Sequence, residues 1–329
     1  MRSPNSPPGL DSSHRPRRSA ARNWAEYILA RACLALAGLL PFPLACHFGT
    51  AVIALLVASS AKLRHTAMRN LELAFPELPR AKRKQILQGM CLSLGRMLAL
   101  IARMHRLTPS TISRYIRYDG LHHFQNAQKQ GRGVLFFTAH LGNWELSAFA
   151  HGLLTAPMHI VVRPLDNPLL DAYLCRLRAR SGNRIISKRE SARSILKALQ
   201  SNQAVGILAD QNASAAEGVF ITFFGLRACA HAGFARLAAR SGASVIPGFA
   251  LWSEEEGRWI LRFYPPVTVT GDTASDTQRL HSQLEQIIRQ YPDQWLWIHR
   301  RWKTRPPGEP PLYEMSSSNE RPARDNRAS

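Results

Sequence analysis

The sequence predicts an α/β fold in which a mostly parallel central sheet is flanked by helices, with a membrane-anchoring helix or helical hairpin at the N-terminus. Three observations lead to this prediction. Short apolar runs alternate with helical segments over most of the chain, a long N-terminal stretch has no charged residue, and 43 Lys and Arg stand against 22 Asp and Glu. The alternation indicates a layered sheet, and the other two observations indicate contact with a membrane surface.

The first residues predict a tail followed by an anchor. Residues 1–22 are rich in Pro, Ser and Arg and are expected to be a disordered basic tail. Residues 23–61 are expected to anchor the chain, because residues 32–60 lack Lys, Arg, Asp and Glu and exceed the roughly 20 residues that span a bilayer. Pro41 and Pro43 interrupt this stretch and leave two arrangements open, a single kinked span or a hairpin that dips into one leaflet. Basic residues lie on both sides, so charge does not choose between them, and no cleaved signal peptide is expected.

The rest of the chain predicts one folded domain, residues 62–305, and a disordered tail, residues 306–329. Apolar residues recur at helical spacing from His65 to Met104, which is typical of amphipathic helix packed on a core. Apolar runs then predict strands over residues 134–138, 158–163, 184–187, 204–209, 244–250 and 259–264. The helices between them are predicted over residues 143–154, 167–181, 190–201, 231–241 and 277–290.

Composition limits the function classes. The formal net charge of +21 suits phosphate-rich partners, either nucleic acid or an anionic membrane. The basic residues are spread over the chain without a nucleic-acid-binding motif, so nucleic acid is not expected as a partner. Five cysteines in no C-x-x-C pair suggest neither a disulfide framework nor a zinc site. In the absence of phosphate-loop or dinucleotide signatures, we expect no metal and no cofactor.

The segment from Val134 to Glu145 carries the strongest chemical signal. An apolar strand ends just before His140, Asn143 is a good helix N-cap, and Glu145 then falls in the first helical turn. Ligands of open α/β sheets bind at the carboxyl ends of strands. A histidine beside a fixed carboxylate is the minimum equipment for general-base catalysis. The alternative is a loop histidine that only forms hydrogen bonds and a glutamate that only compensates the helix dipole.

Polar residues close two other predicted strands. Arg163 is a candidate clamp for a phosphate or for a developing oxyanion, although an ion pair with Asp166 or Asp171 explains it equally well. Asp210 is a further polar residue at the same sheet edge. Gln211, which follows it, can contact acceptor hydroxyls or simply belong to a turn.

Two aromatic clusters suggest contact with lipid. Residues 219–226 carry phenylalanines in a predicted loop that can line an acyl-chain groove or dip into the bilayer, with core filling as the alternative. The next helix is expected to open at His231. Trp295, Trp297 and Trp302 alternate with basic residues, a pattern typical of the membrane interface, with a buried strand as the competing interpretation.

Several blocks together resemble a known family. They are residues 70–77 (NLELAFPE), 140–145 (HLGNWE), 163–168 (RPLDNP), 210–212 (DQN) with 223–225 (FFG), and 291–303 (YPDQWLWIHRRWK). In this order they are similar to the blocks of the lipid A biosynthesis acyltransferases, which carry a His-x4-Asp/Glu motif and belong to the lysophospholipid acyltransferase superfamily. The resemblance covers roughly residues 25 to 305.

The resemblance implies an acyltransferase domain over residues 62–305, on the cytoplasmic side of an inner membrane. It implies transfer of a fatty acyl group from an acyl carrier protein thioester to a hydroxyl of a lipid A precursor. His140 would be the general base and Glu145 the residue that orients it. Arg163, Asp210, Asn143 and Gln211 would bind substrate, and no acyl-enzyme is expected.

Two other functions stay open at this point. The acceptor can instead be a lysophospholipid, an ornithine lipid or another hydroxylated lipid, since the catalytic pair would be the same. Outside enzymes, the chain can be a basic membrane-binding scaffold with a retired site. The presence of all four polar residues His140, Glu145, Arg163 and Asp210 argues against the scaffold.

Overall fold

The computed structural model describes residues 19–187 and 191–313. The helices are α1 (Ala20–Leu39), α2 (Phe42–Ser59), α3 (Ala61–Ala74), α4 (Arg80–Ile101), α5 (Pro109–Ile112), α6 (Leu121–Lys129), α7 (Trp144–Leu154), α8 (Pro168–Ala179), α9 (Ser191–Gln200), α10 (Gly233–Ser241) and α11 (Thr273–Gln290). The strands are β1 (Ile116–Asp119), β2 (Val134–Thr138), β3 (His159–Val162), β4 (Arg184–Ser187), β5 (Ala204–Leu208), β6 (Gly218–Phe223), β7 (Leu226–His231), β8 (Ser244–Ser253) and β9 (Arg258–Phe263).

Seven strands form the central sheet in the order β1-β9-β8-β2-β5-β3-β4. All neighbouring pairs are parallel except β8 with β9. The predicted fold class and all six predicted strands are confirmed, and β1, β6 and β7 were not predicted. The strand β2 lies in the middle of the sheet, so its carboxyl end meets the ends of β5 and β8.

Helices cover both faces of the sheet, and β2 shows why its sequence is apolar throughout. Leu135 and Phe137 pack into one buried cluster, whereas Val134 and Phe136 pack into another on the opposite face. Successive side chains of a strand point to opposite faces. A strand that is covered on both faces therefore needs an uninterrupted apolar run.

The second sheet is a hairpin of β6 and β7, where the sequence had predicted a loop. Phe224 and Gly225 form the two-residue turn, both with positive φ (52° and 74°), as a hairpin of this twist requires. Phe223 and Phe224 are buried, so the prediction that these aromatics line a groove or enter the bilayer is wrong for both. His231 ends β7 rather than opening the next helix.

The amphipathic stretch before the sheet is two helices rather than one. The helix α3 ends at Ala74 and α4 begins at Arg80, with Pro76 and Pro79 between them. Proline lacks the backbone N–H that a helix interior needs, which explains the break. Both helices bury apolar side chains in the core, as their spacing predicts.

The helices α1 and α2 form the apolar N-terminal region and meet at Leu40 and Pro41. Of ten exposed large apolar side chains among the described residues, eight lie on these two helices: Trp24, Ile28, Leu29, Leu36, Leu39, Leu44, Leu55 and Leu56. Two described stretches are long and apolar enough to cross a membrane, Phe42–Ser59 and Arg80–Arg106, with 22% and 50% of their apolar windows buried. The second is thus partly a core helix, while α2 and α1 fit membrane anchoring.

Close packing joins this region to the domain. A Cβ atom at Gly49 of α2 would lie 2.5 Å from the carbonyl oxygen of Gly95 on α4, so glycine lets the two helices touch. Arg103 donates hydrogen bonds to the carbonyl oxygens of Ala37 (2.9 Å) and Leu40 at the end of α1.

The C-terminal segment is also attached to the domain beyond the predicted boundary at residue 306. Tyr313 is buried, and its hydroxyl donates to Oδ1 of Asn70 and accepts from the backbone N–H of Trp302. Residues 314–329 of the predicted tail lie outside the described residues, as do residues 1–18.

Candidate active site

The candidate site lies at the carboxyl ends of β2 and β5. These strands are parallel neighbours, and Thr138 pairs with Leu208. The same register continues two residues further and brings His140 level with Asp210. Nδ1 of His140 lies 2.8 Å from Oδ1 of Asp210, and the backbone N–H of His140 donates to Oδ2 at 3.1 Å.

Asp210 is held by three donors in a buried position. Besides the two from His140, the indole Nε1 of Trp295 donates to its Oδ2 at 2.9 Å. Burial opposes ionisation of Asp210, but the charge of His140 and the hydrogen bonds from His140 and Trp295 lower its pKa to about 2. The carboxyl group is therefore a carboxylate at neutral pH.

This carboxylate sets the state of the His140 ring. Because a carboxylate only accepts hydrogen bonds, the Nδ1 atom of His140 carries the proton and Nε2 keeps its lone pair. The side chain is 19% exposed, so part of the ring is accessible from outside the protein. Burial lowers the pKa of His140, but the charge and hydrogen bond of Asp210, with the charge of Glu145, raise it above the ordinary 6.5. The ring has the properties of a general base.

The loop that carries His140 is fixed from the C-terminal side of the chain. The carbonyl oxygen of His140 accepts from the backbone N–H of Leu296 (3.0 Å), and the N–H of Gly142 donates to the carbonyl oxygen of Gln294 (2.9 Å). Gly142 has φ of +65°, and a Cβ atom there would lie 2.1 Å from the carbonyl oxygen of Ala250 on β8. Only glycine fits this turn.

Glu145 lies in the first turn of α7, as predicted, but its carboxylate binds another partner. It accepts two hydrogen bonds from Arg178 of α8, at 2.8 Å from Nε and 2.6 Å from Nη2. The direct hydrogen bond to the His140 ring comes from Asp210, so in this geometry Glu145 acts on His140 only through its charge. The expected orientation of the ring by Glu145 is replaced by orientation through the neighbouring strand.

The remaining predicted substrate-binding residues lie around this centre. Asn143 is buried and caps α7 by accepting from the backbone N–H of Leu146 at 3.0 Å, while its Nδ2 has no partner within the described residues. Gln211 is half-buried beside Asp210. Arg163 is exposed two strands away from β2, and within residues 19–187 and 191–313 its guanidinium makes no hydrogen bond or ion pair. The predicted alternative was an ion pair with Asp166 or Asp171; the one with Asp171 is not formed, and Oδ1 of Asp171 accepts from the backbone N–H of Leu165 at 2.9 Å.

An apolar cavity opens next to His140, between the sheet and α7. At its mouth are Trp144, Glu145 and Arg178, and the Trp144 ring packs edge-on to His140 with centroids 5.1 Å apart. Its lining also includes Phe136, Thr138, Ser147, Ala148, Phe149, His151, Met158, Ile160, Val161, Val162, Gly206, Leu208, Gly248 and Phe263. The free volume is about 60 Å³, so a long acyl chain needs the side chains around it to move.

Two glycines keep the cavity open. A Cβ atom at Gly206 would lie 2.7 Å from Cε of Met158, and one at Gly248 would lie 2.8 Å from the Phe263 ring. Met158 is the side chain best able to move aside, because its thioether chain is unbranched and adaptable.

Comparison with known proteins identifies the family of this chain. The family model of the bacterial lipid A biosynthesis acyltransferases matches residues 13–304. The chain belongs to this family. It is 30% identical to the lipid A biosynthesis palmitoleoyltransferase of Escherichia coli over 276 residues, 83% of this chain and 90% of the relative. It is also 30% identical to the lauroyltransferase of the same organism over 278 residues, with the same coverage, and 23% identical to the myristoyltransferase over 248 residues, 75% of this chain and 77% of the relative.

In this lipid A biosynthesis acyltransferase the C-terminal tryptophans do not face a membrane. Trp295, Trp297 and Trp302 are all buried, so the membrane-interface interpretation is wrong. The competing interpretation, a buried strand, is right about the burial, but the segment consists of turns with one isolated bridge between Leu141 and Trp295. Asn70 from the first resembling block donates to the carbonyl oxygens of Trp297 (2.5 Å) and His299 (2.6 Å). These contacts between the first and the last block support the segment that binds the His140 loop.

The sequence did not indicate two residues of the acyltransferase site. Arg178 lies inside a helix of ordinary composition, and only its contact with Glu145 distinguishes it from the other arginines. His151 lies on α7, seven residues after Trp144, which places it about two turns deeper in the cavity. Among the described residues no group of three or more His, Cys, Asp or Glu side chains is arranged to hold a metal ion.

Proposed function

We propose that this chain transfers a fatty acyl group from an acyl carrier protein thioester to a hydroxyl group of a lipid A precursor. The observation that carries the proposal is the His140–Asp210 pair beside a largely apolar cavity, whose lining includes the Trp144 ring that packs on His140. The pair supplies a base for a hydroxyl group, and the cavity supplies an apolar site for an acyl chain. Family membership supports lipid A as the acceptor.

The reaction follows from the geometry of the ring. Nε2 of His140 takes the proton of the acceptor hydroxyl while the hydroxyl oxygen attacks the carbonyl carbon of the thioester. The new C–O bond forms, the C–S bond breaks, and the proton passes from the imidazolium to the departing thiolate of the carrier. The carboxylate of Asp210 stabilises the imidazolium between these two steps.

Arg178 and Glu145 are proposed to act at the cavity mouth. A thioester whose acyl chain lies in the cavity has its carbonyl group near this pair, and the Arg178 guanidinium is the nearest cation that lines the cavity. It is held there by both oxygens of Glu145, which fixes its position before the reaction begins. Arg163, which is exposed at the same sheet edge, is proposed to contact phosphate on the acceptor or an acidic residue of the carrier.

The proposed location is the cytoplasmic face of an inner membrane, with α1 and α2 as the anchor. Both ends of α1 are attached to the domain. Arg103 binds its last carbonyl groups, and at its beginning Asn167 donates to the carbonyl oxygen of Asn23 (2.9 Å). In the middle of the helix, Arg31 packs on the ring of Tyr173 (4.4 Å). These contacts favour a hairpin that enters one leaflet over a single kinked span.

The proposal is tested by mass spectrometry of lipid A from a host strain that lacks its late acyltransferases. The chain is expected to add one acyl mass, and His140→Ala to lower this transfer about 100-fold or more. The matched control is His122→Ala, because His122 is an exposed histidine on α6, outside the site.

Two outcomes would contradict the proposal. Unchanged lipid A with the protein present in the membrane would exclude a lipid A precursor as the acceptor, and acylation of a lysophospholipid or ornithine lipid in the same extract would identify the alternative. Full transfer by His140→Ala would exclude His140 as the base.

A further inference from the structure

His151 places a polar side chain at the end of the cavity that lies farthest along α7 from Glu145. The residue is 1% exposed, and its ring lines the cavity. Nδ1 lies 3.1 Å from the hydroxyl of Tyr118, which also lies 2.9 Å from Oγ1 of Thr155. Nε2 is buried and has no hydrogen-bond partner within the described residues. One side of the ring is thus satisfied, and the other is not.

The surroundings of this atom are aromatic and apolar. The His151 ring packs edge-on to Phe124, Phe136 and Phe263, with centroids 4.5, 5.3 and 5.7 Å apart. Burial among these rings lowers the pKa of His151 to about 4, so the ring is neutral at physiological pH. It therefore presents one hydrogen-bonding atom without a charge.

The position of His151 fits the deep end of a bound acyl chain. Glu145 at the mouth and His151 are six residues apart on α7, a rise of about 9 Å along the helix. The acyl chain would extend along α7 from the thioester towards the His151 ring. A methylene or methyl group that covers Nε2 offers no hydrogen bond, whereas water or a hydroxyl group does.

We propose that His151 is a specificity-determining residue that limits the length of the transferred acyl chain by acting as a polar stop. The inference rests on the proposed function. Each further buried methylene improves binding about fourfold until the chain covers Nε2. At that length, the unpaired nitrogen lowers the rate by roughly tenfold or more.

Comparison of the relatives shows that overall sequence identity does not determine which acyl group is selected. The palmitoleoyltransferase and the lauroyltransferase of Escherichia coli are each 30% identical to this chain, although their names give different acyl groups. The selection of the acyl group must therefore depend on local residues. His151 is a local residue, and its imidazole differs from the aromatic side chains packed around it.

The first test uses the unaltered protein. Specificity constants (kcat/KM) are measured with butanoyl, hexanoyl, octanoyl, decanoyl, lauroyl, myristoyl and palmitoyl thioesters of acyl carrier protein. They are expected to rise with chain length and then fall by roughly tenfold or more at the first disfavoured length. An acyl chain of this disfavoured length with a hydroxyl group at its terminal carbon is expected to recover most of the lost kcat/KM, because the hydroxyl group binds Nε2. A terminal hydroxyl that gives no recovery would indicate a steric wall and overturn the inference.

Substitutions at the same position separate polarity from size. His151→Leu removes the polar atom and is expected to accept the first disfavoured chain about as well as the preferred one. His151→Gln keeps a polar group and is expected to keep the cut-off. Tyr118→Phe is the matched control, since it removes the hydroxyl on the other side of the ring and should leave the profile of chain lengths unchanged.

The outcomes distinguish this inference from the proposed function. Transfer by His151→Leu with an unchanged profile overturns the inference alone, and absence of transfer from every thioester overturns both. If His151→Leu does not fold, the comparison of methyl-ended and hydroxyl-ended chains in the unaltered protein still decides.

Discussion

Nδ1 of His140 and Oδ1 of Asp210 lie 2.8 Å apart although the two residues are 70 positions apart in the chain. The contact joins the ends of two neighbouring parallel strands, and Trp295 completes it from the C-terminal segment. The carboxylate that the motif places five residues after the histidine, Glu145, instead forms an ion pair with Arg178. The two carboxylates therefore have separable roles, which variants can distinguish.

Asp210→Asn is expected to shift the pH dependence of the reaction to lower pH as well as to slow it. In the proposed reaction the neutral ring of His140 is the active form, so the rate should rise with pH through the pKa of His140, which lies above 6.5. Burial lowers this pKa and the Asp210 carboxylate raises it, so removing the charge must lower it. The pH profile of kcat/KM measures the shift.

The rate of Asp210→Asn should be about 100-fold or more below that of the unaltered protein. An amide stabilises the imidazolium less than a carboxylate does, and it no longer fixes the same tautomer of His140. Asp272→Asn is the matched control, since Asp272 is an N-cap remote from the site. If kcat/KM of Asp210→Asn rises over the same pH range as in the unaltered protein, a group other than His140 is responsible for the pH dependence.

Glu145→Gln is expected to destabilise the protein by about 3–5 kcal/mol, since it leaves the Arg178 guanidinium largely buried without its counter-charge. The two side chains are 11% and 16% exposed, so solvent screens the pair only weakly. Thermal unfolding in detergent measures the loss.

The double variant Glu145→Leu with Arg178→Met separates stability from catalysis. It should recover most of the stability, because paired apolar side chains replace a buried ion pair at little cost. Its activity should stay low if Arg178 acts at the thioester carbonyl. Recovery of activity together with stability would show that the pair is only structural.

Gly142→Ala is expected to destabilise the catalytic loop far more than Gly257→Ala. Both residues have positive φ, 65° and 61°, so alanine costs about 1–2 kcal/mol at either position. At Gly142 a Cβ atom would also lie 2.1 Å from the carbonyl oxygen of Ala250, whereas at Gly257 nothing lies within 4 Å. Equal melting temperatures for the two variants would contradict the geometry of the loop.

Gly49→Ala and Gly38→Ala should change stability in opposite directions. Alanine favours a helix over glycine by about 1 kcal/mol, and at Gly38 the nearest atom to its Cβ would be 3.4 Å away. At Gly49 the Cβ would lie 2.5 Å from the carbonyl oxygen of Gly95 and force α2 away from α4. Limited proteolysis of membrane vesicles should therefore show faster cleavage near α2 only in Gly49→Ala.

Strand positions were predictable from the sequence, but strand order was not. Apolar runs identify β2 and β5 because a strand buried on both faces needs them. The apolar runs do not indicate that β5, rather than β3, lies beside β2. Because β5 is the neighbour of β2, Asp210 reaches His140, while Arg163 lies two strands away.

Burial was the other point that local pattern could not decide. Alternating aromatic and basic residues at Trp295 and Trp297 are typical of a membrane interface, yet both rings pack inside the domain. Phe223 and Phe224 were predicted in a loop because Gly225 follows them, but that glycine forms a hairpin turn. Which face an aromatic residue presents depends on partners distant in the chain, such as Trp302 against Phe223.

The attachment of residues 294–297 to the His140 loop has a consequence for the order of synthesis. A ribosome makes α1 and α2 before the strands of the sheet, and this segment after them. A chain that stopped after α11 would contain His140, Glu145 and Asp210 but would lack Leu296, which binds the His140 carbonyl group, and the indole that binds Asp210. Premature stop codons between α11 and residue 294 should therefore inactivate the protein as fully as early ones.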